Sequence, residues 1–119
     1  MGDPVVWWDL GAQDAERSVS FFEDVFDWKP EYDEDTGFYR VRLEEQELSK
    51  GGIFALRKAK LPFVTLYVLV DDIDEKSRLV EEHGGSVEAP FRLASGSRIC
   101  LFNEPSGVTF AMIQPKMDE

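Results

Sequence analysis

The sequence has little positive charge, one histidine and one cysteine, and each scarcity excludes a class of function. Its 13 lysines and arginines stand against 24 acidic residues, which gives a formal net charge of −11. A nucleic-acid partner or an anionic membrane surface is therefore not expected, because binding phosphate groups requires clustered cations. The single cysteine, Cys100, cannot form an internal disulfide. We interpret it as a small buried residue, since no histidine is predicted beside it to activate a thiolate.

Long apolar runs are also missing, and none approaches the length of a transmembrane span. The first residues lack the charged-then-apolar pattern of a signal peptide, which together with the lone cysteine predicts a cytoplasmic protein. No phosphate-binding loop or dinucleotide fingerprint is present. The pairs Gly51-Gly52 and Ser106-Gly107 are interpreted as turns that precede strands. With 119 residues and 43% hydrophobic content, the chain fits one globular domain.

The clearest local pattern is a strand followed by a capped helix between Val64 and Gly85. Seven residues rich in β-branched and aromatic types open it, as a largely buried strand should. Asp71 and Asp72 then offer side-chain oxygens to the free N–H groups of a helix start. The glycine pair Gly84-Gly85 supplies the stop.

The same pattern occurs earlier in the chain, where a strand from Val5 to Leu10 ends at Gly11 and Asp14 caps a helix. One constant shift aligns the two copies without a gap, and it carries Trp7 onto Thr65. The apolar positions of this first helix fall at helical spacing: Val19, Phe22, Val25 and Phe26.

The repeat continues beyond the helices. Three further strands are predicted in each half, with the alternating stretches Phe38–Leu43 and Gly96–Leu101 related by the same shift. The fold class is therefore α+β, with two tandem βαβββ modules at about 4–56 and about 63–115 and a linker at about 57–62. We expect the two modules to form a curved, open half-barrel cleft.

Alternation along the strands assigns side chains to the two faces of each sheet. Trp8 and Leu10 in the first strand and Val68 in the fifth are expected to face a helix, as are Ile99 and Leu101. The opposite, cleft-lining face is expected to carry the candidate ligand-binding residues, which are Trp7, Asp9, Phe38, Arg40, Thr65, Tyr67, Arg98, Cys100 and Phe102.

Three stretches together resemble the vicinal oxygen chelate superfamily, which includes glyoxalase I, bleomycin resistance proteins and extradiol dioxygenases. These are VVWWDLGAQDAERSVSFFEDVFDW, VTLYVLVDDIDEKSRLVEEHGGSV and LFNEPSGVTFAMIQP. The resemblance covers nearly the whole chain and is strongest for the small glyoxalase-like proteins. It implies the same fold, whereas one scaffold hosts many chemistries in this superfamily.

The resemblance also implies where a metal would be bound in members that use one. The equivalent positions are Trp7, Ala55, Thr65 and Ala111, and none of these side chains is a metal ligand of the imidazole or carboxylate type. We therefore expect no metal and no other cofactor. The only histidine, His83, lies at the end of the second helix, away from the cleft.

Several residues have two interpretations. Arg40 and Arg98 could clamp an anion, or pair with acidic side chains, which is favoured in so acidic a chain. Asp9 is a candidate general base, but could simply neutralise an arginine. The aromatic residues could stack on a ligand, fill the hollow of the sheet, or form a dimer contact.

The leading functional hypothesis is metal-independent binding of a small apolar or aromatic molecule, with or without an anionic group, as in the bleomycin-resistance branch. One alternative is a lyase or isomerase of the lactoylglutathione-lyase type with a non-standard site. The other is a regulatory or structural partner with a vestigial cleft. A homodimer is expected by resemblance to the family, and the sequence does not identify a ligand.

Overall fold

The computed structural model describes residues 2–42, 50–56 and 61–116. The fold is mixed α+β, with two helices and nine strands among these residues. The chain forms two compact units, one spanning Val6–Thr65 and the other combining Met1–Val5 with Leu66–Glu119. Most of the predicted linker, residues 57–60, lies outside the described residues. Neither helix is long or apolar enough to cross a membrane.

The first module contains one helix and four strands, which are β1 (Val5–Ala12), α1 (Ala15–Phe26), β2 (Glu31–Asp33), β3 (Phe38–Arg42) and β4 (Lys50–Ala55). Its strands form a sheet in the order β2-β3-β4-β1. Strand β4 runs parallel to β1 and antiparallel to β3. The predicted end of β3, Leu43, lies outside the described residues.

The second module repeats this arrangement with one additional short strand. Its elements are β5 (Phe63–Leu69), α2 (Ile73–Glu82), β6 (Ser86–Val87), β7 (Phe91–Arg92), β8 (Arg98–Asn103) and β9 (Thr109–Gln114). Its sheet has the order β5-β9-β8-β6, and β7 pairs with the same strand as β6, namely β8. The alternation did not reveal β7, which is very short.

Both helices begin at the predicted aspartates. The Asp14 side chain accepts a hydrogen bond from Arg17 N at 3.1 Å, and the Asp72 side chain accepts one from Glu75 N at 3.2 Å. Each bond satisfies an N–H group that has no partner within the first helical turn. Gly84, with φ of 94°, follows the C-cap of α2 in the left-handed region, as predicted.

The prediction that Gly51 and Gly52 form a turn is wrong, because both are buried inside β4. Gly51 pairs with Trp8, and a Cβ atom added to it would collide with the indole ring. Gly52 lies under the ring of Phe38 on the opposite face, with Phe38 Cδ2 2.7 Å from the position of a Cβ. The absence of a side chain at both positions allows aromatic rings to lie directly on the strand.

Gly11 does not end β1, which continues to Ala12. A Cβ at Gly11 would approach Leu56 Cδ2 to 2.7 Å and Phe63 Cε1 to 2.9 Å. This glycine therefore permits close packing within the strand, and β1 lacks the break that its sequence suggested.

The core of the first module lies between α1 and one face of the sheet, which we call the helix face. Val19 of α1 is buried against Val41 and Ile53, with Trp8 and Leu10 packed around them. In α1 the predicted apolar stripe is only partly buried, because Val25 and Phe26 are more than half exposed. Those two positions lie in the last turn of α1.

The second module has an equivalent helix face, where Ile73 of α2 packs against Val70, Cys100 and Met112. Phe102 and Val68 pack at the edge of this cluster. The pairing of Cys100 with Met112 places both side chains on the same face of the sheet. The side chains of Ile99 and Leu101 therefore point to the opposite face, and the prediction that they face the helix is wrong.

This reversal arises because the shift that relates the two modules does not stay constant along the chain. Leu10 and Val68 are separated by the constant shift that aligns the two halves of the sequence. The residue of β4 that pairs with Leu10 and the residue of β9 that pairs with Val68 are separated by one residue more than that shift. Through the pairing of β3 with β4 and of β8 with β9, Arg40 then corresponds to Leu101 and not to Arg98. An odd change in the shift moves every side chain of a strand to the other face.

We expect the G51A variant to lose about 3 kcal/mol of unfolding free energy, because the added methyl group must displace the Trp8 ring. Urea denaturation followed by circular dichroism measures this loss. G2A is the matched control, since nothing lies within 4 Å of a Cβ at Gly2, and its stability should change by less than about 0.5 kcal/mol. Equal stability of the two variants would contradict the packing described for β4.

The turn between β8 and β9 is closed by the carboxylate of Glu104. Its Oε2 accepts hydrogen bonds from Val108 N at 2.7 Å and from the Ser106 hydroxyl at 2.5 Å. The Ser106 side chain and the backbone N–H groups of the turn lower the pKa of Glu104 because they stabilise its charged form. Gly107, with φ of 96°, completes the predicted turn before β9.

Replacing Glu104 with glutamine should lower the urea midpoint at neutral pH. The contribution of the carboxylate is complete above its unfolded-state pKa and is lost as the pH falls through the lower folded-state pKa. The difference between the wild-type and E104Q midpoints should therefore shrink towards zero on acidification. An E88Q control, which alters an exposed acid outside this turn, should show no comparable dependence. A difference between wild type and E104Q that is constant from neutral to acid pH would contradict this account.

Candidate functional site

The face of each sheet opposite its helix, which we call the helix-free face, carries the candidate site. In the first module, alternation and strand pairing place Trp7, Asp9, Phe38 and Arg40 on this face. These are the positions predicted from the sequence. The two positions in β1, Trp7 and Asp9, could be predicted because the number of residues between this strand and the Asp14 cap is fixed.

Trp7 and Asp9 are joined side chain to side chain. The indole Nε1 of Trp7 donates a hydrogen bond to Asp9 Oδ1 at 2.5 Å. Asp9 is only 8% exposed and is the one buried carboxylate among the described residues. It has further interactions besides this bond. The bond to Trp7 orients the carboxylate and stabilises its charge within the sheet.

An aromatic layer covers the rest of this face. The ring of Phe38 stacks on Phe54 at a centroid distance of 5.0 Å, and Phe54 meets Phe63 edge to face at 5.9 Å. Gly11 and Gly52 form the backbone beneath these rings. Because Phe54 and Phe38 are half-buried and Phe63 is 41% exposed, the layer presents apolar ring surface at which another flat molecule could stack.

Arginines lie at the rim of the aromatic layer. Arg40 Nε forms an ion pair with Asp33 Oδ2 at 3.0 Å, and the Arg40 side chain is 54% exposed. The ion-pair interpretation of Arg40 is therefore what the structure shows, with an acid of β2 as its partner. Arg42, two residues further along β3, is exposed on the same face.

On the helix-free face of the second module, Thr65 and Tyr67 occupy alternate positions of β5. Thr65 is buried at 6% exposure and Tyr67 is half-buried. Tyr67 is paired with Ala111 of β9, whose side chain is fully buried. This pairing places Tyr67 and Ala111 on the face opposite the core that contains Met112, as predicted.

Three predicted site residues lie instead on the helix face of the second module. Arg98 pairs with Asp74 of α2 at 3.3 Å, and the Cys100 thiol donates to the Glu88 carbonyl at 3.3 Å. Phe102 stacks on Phe110 at 5.8 Å. Their predicted placement on the cleft-lining face is wrong, because the shift from β3 to β8 differs by an odd number of residues from the shift between the first strands. Arg40 and Arg98 therefore do not form the symmetric clamp that the repeat suggested.

The structure also corrects one of the four positions at which the family resemblance implies a metal ligand. Ala55 follows Ile53 by two residues and so lies on the helix face. In the first module Asp9 pairs with Gly52. Tyr67 is the residue of the second module that corresponds to Asp9, and it pairs with Ala111. Gly52 is therefore the residue of the first module that corresponds to Ala111. The corrected set is Trp7, Gly52, Thr65 and Ala111.

These four residues do not fit a metal ion. An indole, a hydrogen atom and a methyl group offer no donor atom, and a threonine hydroxyl alone is a weak ligand. The space that a side chain at Gly52 would enter is filled by Phe38 Cδ2 at 2.7 Å and by Trp7 Cζ2 at 3.3 Å. Across the residues that the structure describes, no three His, Cys, Asp or Glu side chains are grouped closely enough to hold an ion.

The comparisons with known proteins agree with this architecture. Residues 5–112 match the model of the Glyoxalase/Bleomycin resistance protein/Dioxygenase superfamily. The chain belongs to this superfamily. Among the solved structures of similar fold, a hypothetical protein from Bacillus halodurans has a TM-score of 0.72 at 14% identity, covering 100% of this chain and 99% of that one.

A second structure of similar fold is the methylmalonyl-CoA epimerase from Mycobacterium tuberculosis. It has a TM-score of 0.66 at 16% identity, covering 95% of this chain and 88% of that chain. In sequence, the chain is 24% identical over 123 residues to the anthracycline biosynthesis protein DnrV of Streptomyces peucetius. That alignment covers 89% of this chain but only 45% of DnrV, so the chain spans about half of the length of this relative.

Sequence reasoning missed Phe54, Phe63 and Gly52 as parts of this site. Phe54 could have been found from alternation once Ile53 was recognised as a core position. Gly52 carried no usable signal, because a glycine pair near the start of a strand is typical of a turn. Only the rings that lie on it, contributed by β1 and β3, identify its role.

A double-mutant cycle tests the contact between Trp7 and Asp9. W7F and D9N should each destabilise the protein, and the double variant should lose less than the sum because the shared hydrogen bond is removed only once. We expect a coupling free energy of about 1 kcal/mol from urea denaturation at neutral pH. The destabilisation caused by the smaller ring in W7F cancels in the cycle, because it is present in both the single and the double variant. Strictly additive losses would show that the bond contributes nothing to stability.

Proposed function

We propose that this member of the superfamily binds a small, planar, apolar or aromatic molecule on its helix-free face, without the metal that other members use. The observation that carries the proposal is the aromatic layer on the first module. Rings occupy the space into which a ligand side chain at Gly52 would project, so the face is built for stacking and offers no donor atoms to a metal there.

Charge narrows the class of ligand. The buried carboxylate of Asp9 lies within the face, and it disfavours an anionic group at the centre because like charges repel strongly at low dielectric. Arg40 and Arg42 lie at the rim, where Arg40 is already held by Asp33. An anionic substituent is therefore accepted only at this edge, and the body of the ligand is neutral.

The test is a thermal-shift screen of the purified protein, followed by calorimetry on any probe that raises the melting temperature. The probes are planar aromatic compounds in neutral, cationic and anionic forms. An anthracycline is included because DnrV is named for anthracycline biosynthesis. F54A should weaken binding by about tenfold, as expected for loss of a stacking partner. V108A is the control, since the exposed Val108 lies in the turn between β8 and β9, outside the aromatic layer, and should leave affinity unchanged.

Three results would overturn parts of this proposal. Stoichiometric nickel, zinc, iron or manganese held by side chains of this face would exclude the metal-independent part. A flat response across the screen would exclude ligand binding and favour a regulatory or structural role. A loss of affinity in R98A would restore the anion clamp, because Arg98 lies on the helix face and should not contribute.

A second candidate function is an enzyme of the lyase or isomerase type in which Asp9 acts as the general base. Its position favours this role, since Asp9 is the one buried carboxylate among the described residues and lies within the face at which a ligand would bind. Turnover of a bound probe by wild type and not by D9N, with binding retained in both, would support this candidate. We also propose that the protein is a homodimer, which sedimentation analysis of the purified protein tests. We further propose that it is cytoplasmic, which cell fractionation followed by immunodetection tests.

A further inference from the structure

The second half of α1 carries an exposed apolar patch that neither the core nor the candidate site uses. Phe21, Val25 and Phe26 are 54%, 56% and 57% exposed. Their spacing of four and five residues places them on adjacent faces of the helix. We call these three residues the α1 patch. Large apolar groups clustered in this way on a protein surface mark an interaction site.

The α1 patch is held rigidly by the core beneath it. Phe22 stacks on Trp28 at 4.6 Å, and Trp28 contacts Trp8, which packs on the core, at 5.8 Å. Phe21 and Phe26 both pack against Phe22, at 5.3 and 6.2 Å. A partner would thus meet a pre-formed surface and would not have to order these rings, which lowers the entropic cost of binding.

The acidic side chains around the α1 patch lower the stability of the helix, because they lie at its C-terminal end. Glu23 and Asp24 lie in the last turn and Asp27 is the C-cap, where the negative end of the helix dipole disfavours acidic side chains. No lysine or arginine among the described residues forms an ion pair with any of the three. Asp27 also adopts φ of 59°, a conformation that glycine or asparagine adopts more easily.

We infer that the α1 patch is a docking surface for a cationic amphipathic segment of a partner protein, with apolar side chains against the rings and lysines or arginines against the three carboxylates. Such a partner would cover the apolar area and neutralise the charge that destabilises the end of the helix. A second copy of this chain is disfavoured, because a symmetric contact through this patch would place like carboxylates against each other.

The test uses the full chain and a synthetic helical peptide with leucines on one face and lysines on the other. Binding is followed by calorimetry, and by amide chemical shifts to locate it. We expect saturable binding with shift changes confined to α1 and the residues around it. Affinity should fall by about tenfold in F21S/V25S/F26S, which removes the apolar contact. F91S is the matched control, because Phe91 is 50% exposed on β7 and should bind like wild type.

A second variant keeps the test valid if the triple serine variant is poorly folded. E23Q/D24N/D27N leaves every ring in place and retains a residue type that tolerates the conformation of position 27. It should bind the peptide more weakly and lose most of the salt dependence that wild type shows between about 0.05 and about 0.3 M sodium chloride.

Three outcomes would overturn the inference. These are equal binding of a peptide with glutamates in place of the lysines, shift changes located away from α1, and a change of oligomeric state in the patch variants, which would assign the surface to a second copy. The α1 patch and the helix-free face are tested by different variants, so failure of one proposal leaves the other standing.

Discussion

The packing of aromatic rings onto the glycines of β4 is the contact on which the first module depends. This strand lies between β1 and β3, and side chains of those two strands cover its glycines on both faces. Gly51 admits Trp8 on the face that binds α1, and Gly52 admits Phe38 on the face that forms the candidate site. One pair of residues without side chains thus fixes both the depth of the core and the floor of the site.

The duplicated modules share connectivity but differ in chemistry. Strands β1 and β5 keep the same register relative to their capped helices, and their side chains correspond position by position. The later strands differ by an odd number of residues, so Arg98 contributes to the helix face of the second module whereas Arg40 remains at the rim of the first. The two modules share most of their backbone arrangement, and the odd difference in residue number between their later strands decides which side chains face the helix.

Most of the fold could be predicted from local chemistry. Asp14, Asp72 and Gly84 determine where helices begin and end through bonds within a few residues, and Trp7 and Asp9 lie at a fixed distance before such a cap. The side chains of β8 that face the helix could not be predicted, because both faces of this strand are apolar. One face carries Ile99 and Leu101, and the other carries Cys100 and Phe102. Burial of the β4 glycines also escaped prediction, because it depends on rings from distant parts of the chain.

The occupation of the space above Gly52 also bears on which substitutions this position can accept. A carboxylate introduced at this position would collide with Phe38 and Trp7, so a single substitution that places a ligand there would disturb the packing of the sheet. The rings would have to shrink first, and that step alone leaves a cavity that destabilises the sheet. Each mutational order therefore passes through a less stable intermediate. Packing of this kind makes a ligand side chain at position 52 difficult to gain in evolution, independently of any selection on activity.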